Sequence, residues 1–212
     1  MLMNMKSLLA VANAHNFAVP AFNTPTGMMM RGILEASEEM NAPVIIEVHP
    51  DELALARPSF ITALVEEAHK AKVPVCIHMD HASTLDQIML AIQCGYTSVM
   101  IDASSKPFEE NVALTREVCR IAHAVDVSVE AELGTIGTTA QSMTTTSSTE
   151  IHYTEPEEAA RFVAETGVDT LAIAIGTCHG IYPKGMVPTL QIQRLKDIKK
   201  VVPIPLVLHG GS

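Results

Sequence analysis

The sequence predicts an α/β protein in which parallel strands form a TIM barrel. Short apolar runs of the kind that form buried parallel strands recur along the chain. Amphipathic segments with helical periodicity separate these runs, so the chain repeats a βα unit. Right-handed crossovers then favour a (β/α) barrel or a doubly wound sheet. No G-x-G-x-x-G or P-loop motif follows the first run, and this favours the barrel.

Seven segments are predicted to be strands. They are residues 18–23, 43–48, 73–80, 97–103, 127–133, 170–176 and 204–210. A complete (β/α)8 TIM barrel has eight strands and about 250 residues. We therefore expect residues 1–212 to form a single barrel domain that lacks the eighth strand and the helices after it.

Capping residues mark the ends of several predicted helices. Ser59 and Thr84 are each expected to cap a helix N-terminus. Thr154 begins a Thr-Glu-Pro-Glu stretch that has the pattern of a capping box with proline inside the first turn. Gly95 and Gly167 lie where helices are expected to end.

One long stretch of small and polar residues, 137–150, follows the fifth predicted strand. Loops at the carboxyl ends of barrel strands build the active site. The stretch therefore predicts a mobile active-site loop, and a surface loop without a function is the alternative.

Composition limits the classes of partner. The net charge of −10 argues against a nucleic-acid surface. No apolar run approaches the roughly 18 residues of a membrane span, and the first residues are too few and too polar for a secretory signal. The four cysteines include no C-x-x-C pair and are interpreted as reduced core residues. We expect a cytoplasmic protein.

Three histidines stand at or just beyond the carboxyl ends of predicted strands: His81, His179 and His209. Their side chains converge if the three strands share one barrel. Catalytic zinc takes three protein ligands and keeps one open position. The sequence therefore predicts a zinc site, although any one of these histidines alone is more typical of a hydrogen-bonded structural residue.

Other polar residues stand at the same predicted strand ends. Asp80 precedes His81 and suits general acid/base chemistry. The Gly210-Gly211-Ser212 turn presents bare backbone N–H groups that suit a phosphate, although such turns also occur without a ligand. Asp102 and Glu132 are either site residues or structural caps and ion-pair partners.

Several motifs occur in order along almost the whole chain: Val19-Pro20-Ala21-Phe22-Asn23, His78-Met79-Asp80-His81, Ser98-Val99-Met100-Ile101-Asp102-Ala103-Ser104, Val129-Glu130-Ala131-Glu132-Leu133-Gly134, Gly176-Thr177-Cys178-His179-Gly180 and Leu208-His209-Gly210-Gly211-Ser212. With these motifs the chain resembles the class II, zinc-dependent ketose-bisphosphate aldolases, most closely the tagatose-bisphosphate and fructose-bisphosphate branch.

The resemblance implies roles for individual residues. It implies zinc on His81, His179 and His209, with Asp80 as the acid/base on the hydroxyl next to the cleaved bond. Asp102 and Glu132 match an auxiliary metal site of some members, so the resemblance also implies a second cation. Substrate and phosphate binding is implied for a further set: Asn23, Gly180, Gly210, Gly211 and Ser212.

The activity implied is zinc-dependent, reversible cleavage of a ketose 1,6-bisphosphate to dihydroxyacetone phosphate and an aldehyde. The implied partners are a phosphorylated ketose and further copies of the chain, as a dimer or tetramer.

Three departures from the family pattern are visible. The family carries a further segment after the seventh strand that residues 1–212 do not include. Relatives usually place acids early in the mobile loop, whereas Glu150 is the first acid here. Glu47 and His49 stand where relatives have small or neutral polar groups, so we expect them to alter substrate specificity; a solvated loop histidine is the alternative for His49.

Two other functions stay open. One is a non-catalytic zinc-binding barrel that serves as a subunit of an aldolase complex. The other is a different metal-dependent sugar-phosphate enzyme on the same barrel, such as an epimerase.

Overall fold

The computed structural model of the chain describes residues 1–138, 151–182, 184 and 187–211. The helices are α1 Met5–His15, α2 Gly27–Glu39, α3 Pro50–Ala56, α4 Pro58–Lys70, α5 Leu85–Cys94, α6 Phe108–His123, α7 Pro156–Thr166 and α8 Ile192–Val201. The strands are β1 Ala21–Asn23, β2 Val44–Val48, β3 Val75–Ala82, β4 Ser98–Ile101, β5 Ser128–Leu133, β6 Gly137–Thr138, β7 Thr170–Ile173, β8 Cys178–His179 and β9 Leu206–Val207.

The chain forms two compact units. Unit 1 consists of Met1–Ile101 and Val118–Val129, and unit 2 consists of Asp102–Glu117 and Glu130–Ser212. The single barrel domain expected from the sequence stays a prediction.

Unit 1 contains four parallel strands in the order β1-β2-β3-β4. Every residue of β2, β3 and β4 is buried. Parallel strands that are covered on both faces need apolar side chains on both faces. These strands therefore contain runs of Val and Ile. Helix α2 packs on β2, α4 on β3, and α5 on both β3 and β4.

Helix α1 adds a second layer of core to unit 1. Met5 and Leu8 from its buried face pack with Ile45 and Cys76. Asn4 caps the helix by accepting a hydrogen bond from the Ser7 N–H at 2.9 Å.

In unit 2, β5, β7 and β9 are parallel neighbours, and β6 pairs in parallel with β8. Glu130 stands opposite Thr170, and Leu171 stands opposite Leu206. Helix α7 packs against α8. Its end at Gly167 has a left-handed backbone with a φ of 72°, which glycine adopts without steric cost.

The predicted α/β class with parallel strands is confirmed, and each of the seven predicted strands is present. Closure into a barrel and the absence of an eighth strand stay predictions. Thr84 caps α5 by accepting from Gln87 N, and Gly95 and Gly167 are left-handed C-caps, as expected.

Two predicted caps are wrong. Helix α4 begins after Arg57 with Pro58 in its first turn, so Ser59 lies inside the helix. Helix α7 is preceded by Glu155, because the Thr154 hydroxyl has other partners: it donates to the Leu133 carbonyl and accepts from Ala174 N–H at 2.8 Å. A tertiary contact has replaced the local cap.

All four cysteines are free thiols; Cys76, Cys119 and Cys178 are buried as expected, whereas Cys94 is half-buried. Their reduced state stays a prediction. Over the ranges that the structure describes, no helix has both the length and the apolar character needed to cross a membrane.

Candidate active site

The end of β3 carries two neighbouring candidates, Asp80 and His81. Successive residues of a regular strand point to opposite faces of a sheet. Here the register between β3 and β4 shifts between Met79 and Ala82, and His81 has a left-handed φ of 48°. His81 Nε2 consequently lies 3.7 Å from Asp80 Oδ1, and both side chains are buried. Bulges that re-aim a side chain in this way are common beside active sites.

Asn23 at the end of β1 contacts the same carboxylate. Its Nδ2 donates to Asp80 Oδ2 at 2.9 Å, across 57 positions of sequence. The amide therefore orients Asp80, which is a role that the sequence analysis did not assign to Asn23.

A row of polar side chains crosses the strands of unit 1 at one level. The strand register places Asn23 beside Glu47, Glu47 beside His78, and His78 beside Ser98. His78 Nδ1 and Ser98 Oγ are hydrogen-bonded at 2.8 Å, and both residues are fully buried. The sequence analysis did not single out the buried His78–Ser98 pair. The available signal was the two-residue spacing of His78 and Asp80, which puts both on one face of a strand.

His49 begins helix α3 in a reciprocal capping box. Its Nδ1 accepts from Asp51 N–H at 3.2 Å, and its own N–H donates to Glu52 Oε2 at 2.9 Å. The His49 side chain is only 13% exposed, so it is an ordered cap rather than a solvated loop residue.

The pKa of Glu52 is raised above its ordinary value. Burial is the main cause, the hydrogen bond from the His49 backbone acts in the opposite direction, and the negative charge of Asp80 adds to the rise. Glu52 thus belongs to the electrostatic surroundings of Asp80.

Unit 2 presents its own cluster around His209. His209 Nε2 and Glu130 Oε1 are 2.8 Å apart, and both side chains are buried. The His179 ring lies edge-on to the His209 ring, with 5.7 Å between the centroids. A carboxylate on one ring nitrogen fixes the tautomer and orients the other nitrogen. The two-residue spacing of Glu130 and Glu132 on β5 was a sequence signal that Glu130 orients His209. The sequence analysis did not use it.

Asp102 and Glu132 both have structural contacts. Asp102 Oδ1 accepts from Ser104 N at 3.0 Å and from Ser104 Oγ at 2.7 Å, as in an Asx-turn. Glu132 is buried, and its Oε1 accepts from Ile136 N–H at 3.3 Å. Their auxiliary-metal role stays a prediction.

The candidate phosphate-binding glycines differ in their surroundings. Gly180 and Gly210 have left-handed φ angles of 90° and 67°. Gly211 has open space where a Cβ would stand. Ser212, Glu150 and positions 139–150 of the predicted mobile loop lie outside the described residues.

Two sets of side chains among the described residues carry donor atoms of the kinds that a metal ion takes. One set is His81, His179 and His209, and the other is His81, Asp102 and Glu132. Three neutral imidazoles match the chemistry of catalytic zinc, whereas the second set is richer in oxygen and suits a harder cation. The donor chemistry therefore fits a metal.

Comparisons with known proteins agree on one family. The sequence model described as "Fructose-bisphosphate aldolase class-II" matches residues 3–212. The fructose-bisphosphate aldolase of Giardia intestinalis is 41% identical over 215 residues. The alignment covers 100% of this chain and 65% of the Giardia protein, so the chain spans about two thirds of that relative's length.

Solved structures show the same likeness. The YdjI aldolase of Escherichia coli K12 superposes with a TM-score of 0.88 at 37% identity, over 100% of this chain and 74% of that one. The fructose-bisphosphate aldolase of Campylobacter jejuni superposes with a TM-score of 0.78 at 27% identity, over 100% of this chain and 70% of the other.

Proposed function

Because the chain belongs to the class II fructose-bisphosphate aldolase family, we propose that it cleaves a ketose 1,6-bisphosphate reversibly to dihydroxyacetone phosphate and an aldehyde, as a zinc-dependent lyase of the TIM-barrel type. The observation that carries the proposal is the buried Asp80–His81 pair on the bulge of β3. It sets a proton acceptor beside a metal-ligand candidate.

The proposed zinc ligands are His81, His179 and His209. Bound zinc would polarise the oxygens of the substrate's ketone end as a Lewis acid. Support comes from the donor chemistry of this set and from Glu130, which engages His209 Nε2 and so directs Nδ1 to the metal.

Asp80 is the proposed acid/base. In the cleavage direction it removes the proton from the hydroxyl on the carbon next to the bond that breaks, and in the reverse direction it returns that proton. Asn23 donates to Asp80 Oδ2, and an amide N–H is a partner for the ionised carboxylate. The contact therefore fixes the direction in which the carboxylate faces.

Specificity is proposed to depend on Glu47 and His49. His49 Nδ1 accepts the Asp51 N–H, so a neutral His49 carries its proton on Nε2 and presents a donor. Glu47 is 7% exposed and lies in register with Asn23. The hydrogen-bond donor of His49 and the carboxylate of Glu47 would select a substrate by the arrangement of its hydroxyl groups.

The rest of the proposal concerns binding. Gly180, Gly210, Gly211 and Ser212 would bind phosphate through backbone N–H groups, Asp102 and Glu132 would take a second cation, and copies of the chain would associate in the cytoplasm. The base for proton exchange on dihydroxyacetone phosphate would be Glu150, Glu47 or His49.

The test measures zinc content and cleavage separately. Four forms of the full chain are compared: unmodified, His179→Ala, Asp80→Asn and His69→Ala, the last changing an exposed histidine of α4 as a matched control. Dihydroxyacetone phosphate is followed by reductase-coupled NADH oxidation, with fructose and tagatose 1,6-bisphosphates as probes.

We expect one zinc per unmodified chain, none in His179→Ala, and full zinc in Asp80→Asn with cleavage lowered about 10²–10⁴-fold. The His69→Ala control should match the unmodified chain. Stoichiometric zinc in His179→Ala would contradict the ligand assignment. Zinc without cleavage in the unmodified chain would contradict the enzymatic proposal and favour a non-catalytic zinc-binding subunit.

A further inference from the structure

The segments that carry His179 and His209 are connected through one phenol. We propose that Tyr182 is a positioning residue of the metal site, which sets the spacing of the backbone segments that present these two histidines. The inference depends on the proposed ligand roles of His179 and His209, and it assigns a role to a residue that the sequence analysis did not single out.

The phenol of Tyr182 contacts both segments. Its oxygen accepts the backbone N–H of Cys178 at 2.6 Å. The same hydroxyl donates to the backbone carbonyl of Gly210 at 3.4 Å. A hydroxyl has one proton and two lone pairs, so it can satisfy both groups at once.

The two segments also touch directly. A Cβ added at Gly210 would lie 2.7 Å from the Cys178 carbonyl oxygen and 2.8 Å from its carbon. Gly210 has a φ of +67° as well, which side-chain-bearing residues rarely adopt. The glycine therefore permits a close backbone approach, and the Tyr182 hydroxyl bridges that approach.

This bridge is one residue away from each proposed ligand. Cys178 precedes His179 on β8, and Gly210 follows His209. A displacement of either backbone segment would change the separation of the two imidazoles, whose centroids are 5.7 Å apart. Outer groups that orient metal ligands typically change metal affinity or activity about 10–100-fold when they are altered.

Phenylalanine at position 182 would keep the ring and lose both hydrogen bonds. The experiment therefore compares the full chain with its Tyr182→Phe variant. The control is Tyr153→Phe, which removes the hydroxyl from a tyrosine that is 38% exposed and whose ring stacks under Arg194. Gly210→Ala is a second variant, which disturbs the same approach from the other side without changing the phenol.

Two readouts are used. Zinc affinity is measured by competition with a chromophoric chelator, and the visible absorption of the cobalt(II)-substituted chain reports the coordination geometry. Circular dichroism at the assay temperature verifies that each variant is folded. A purely structural role of the tyrosine would lower thermal stability and leave the cobalt spectrum unchanged.

We expect zinc binding to weaken about 10–100-fold in Tyr182→Phe, with an altered cobalt spectrum, and to stay unchanged in Tyr153→Phe. Gly210→Ala should weaken zinc binding in the same direction. A zinc affinity and a cobalt spectrum of Tyr182→Phe equal to those of the unmodified chain would overturn the inference, whatever the result for Gly210→Ala, and would leave the proposed function standing. An unmodified chain that binds no zinc would overturn both the proposed function and the inference.

Discussion

Replacing Thr154 by valine tests the tertiary role of a residue that the sequence pattern assigned to a helix cap. The Thr154 hydroxyl donates to the Leu133 carbonyl at the end of β5 and accepts the Ala174 N–H beyond β7. Thr154 is 1% exposed, so no solvent replaces these partners. Valine has nearly the same shape and cannot make either contact.

The expected magnitude follows from these two contacts. Leaving a buried donor or acceptor without its partner costs about 1–3 kcal/mol. We expect Thr154→Val to lower the free energy of unfolding by about 2–6 kcal/mol, since two buried groups are affected. Thr154→Ser keeps the hydroxyl and loses one methyl, so it should cost only about 1 kcal/mol.

The assay is urea unfolding of the full chain, followed by circular dichroism. With a slope of about 2 kcal/mol per molar urea, the midpoint of Thr154→Val should fall by about 1–3 M. A valine variant as stable as the serine variant would refute the reasoning, because the loss would then come from packing and not from the hydroxyl.

Two further predictions concern the surroundings of Asp80. Asn23→Ala removes the donor to Asp80 Oδ2 and should lower cleavage about 10–100-fold with zinc content unchanged, since a hydrogen bond to a charged group is worth about 1.5–3 kcal/mol; cleavage within twofold of the unmodified chain would contradict this. Glu52→Gln tests the raised pKa of Glu52. A raised folded-state pKa gives stability that is present at acidic pH and is lost as the pH rises through that pKa, so the variant should gain melting temperature relative to the unmodified chain between pH 4 and pH 7. A relative melting temperature that stays constant or falls would count against the burial argument.

The strands were predictable because each is an uninterrupted apolar run, and buried parallel strands need little else. Helices α1 and α2 were not identified, although each begins after a capping side chain, Asn4 and Thr26. The failed cap at Thr154 has a physical cause: two buried backbone groups lie within reach of its hydroxyl, and the local pattern does not contain them.

The candidate site likewise contains some residues that the sequence indicated and others that it did not. Residues such as Asp80 and His209 stand at strand ends and carry chemistry in their type and position, so the sequence indicated them. Glu130 and Tyr182 act through contacts with residues 79 and 28 positions away, respectively. The bulge at His81 depends on the register between two strands. Neither long-range contacts nor register can be seen in a single sequence.

The left-handed backbone at His81 has a consequence for engineering. A non-glycine residue in this conformation costs roughly 1–2 kcal/mol, and glycine at position 81 would remove that cost. The same change would also delete a buried imidazole and raise the conformational entropy of the unfolded chain, so we expect His81→Gly to leave thermal stability almost unchanged. A screen for heat resistance alone should therefore tolerate the loss of His81, whereas a screen for turnover should keep it, because it is the proposed metal ligand.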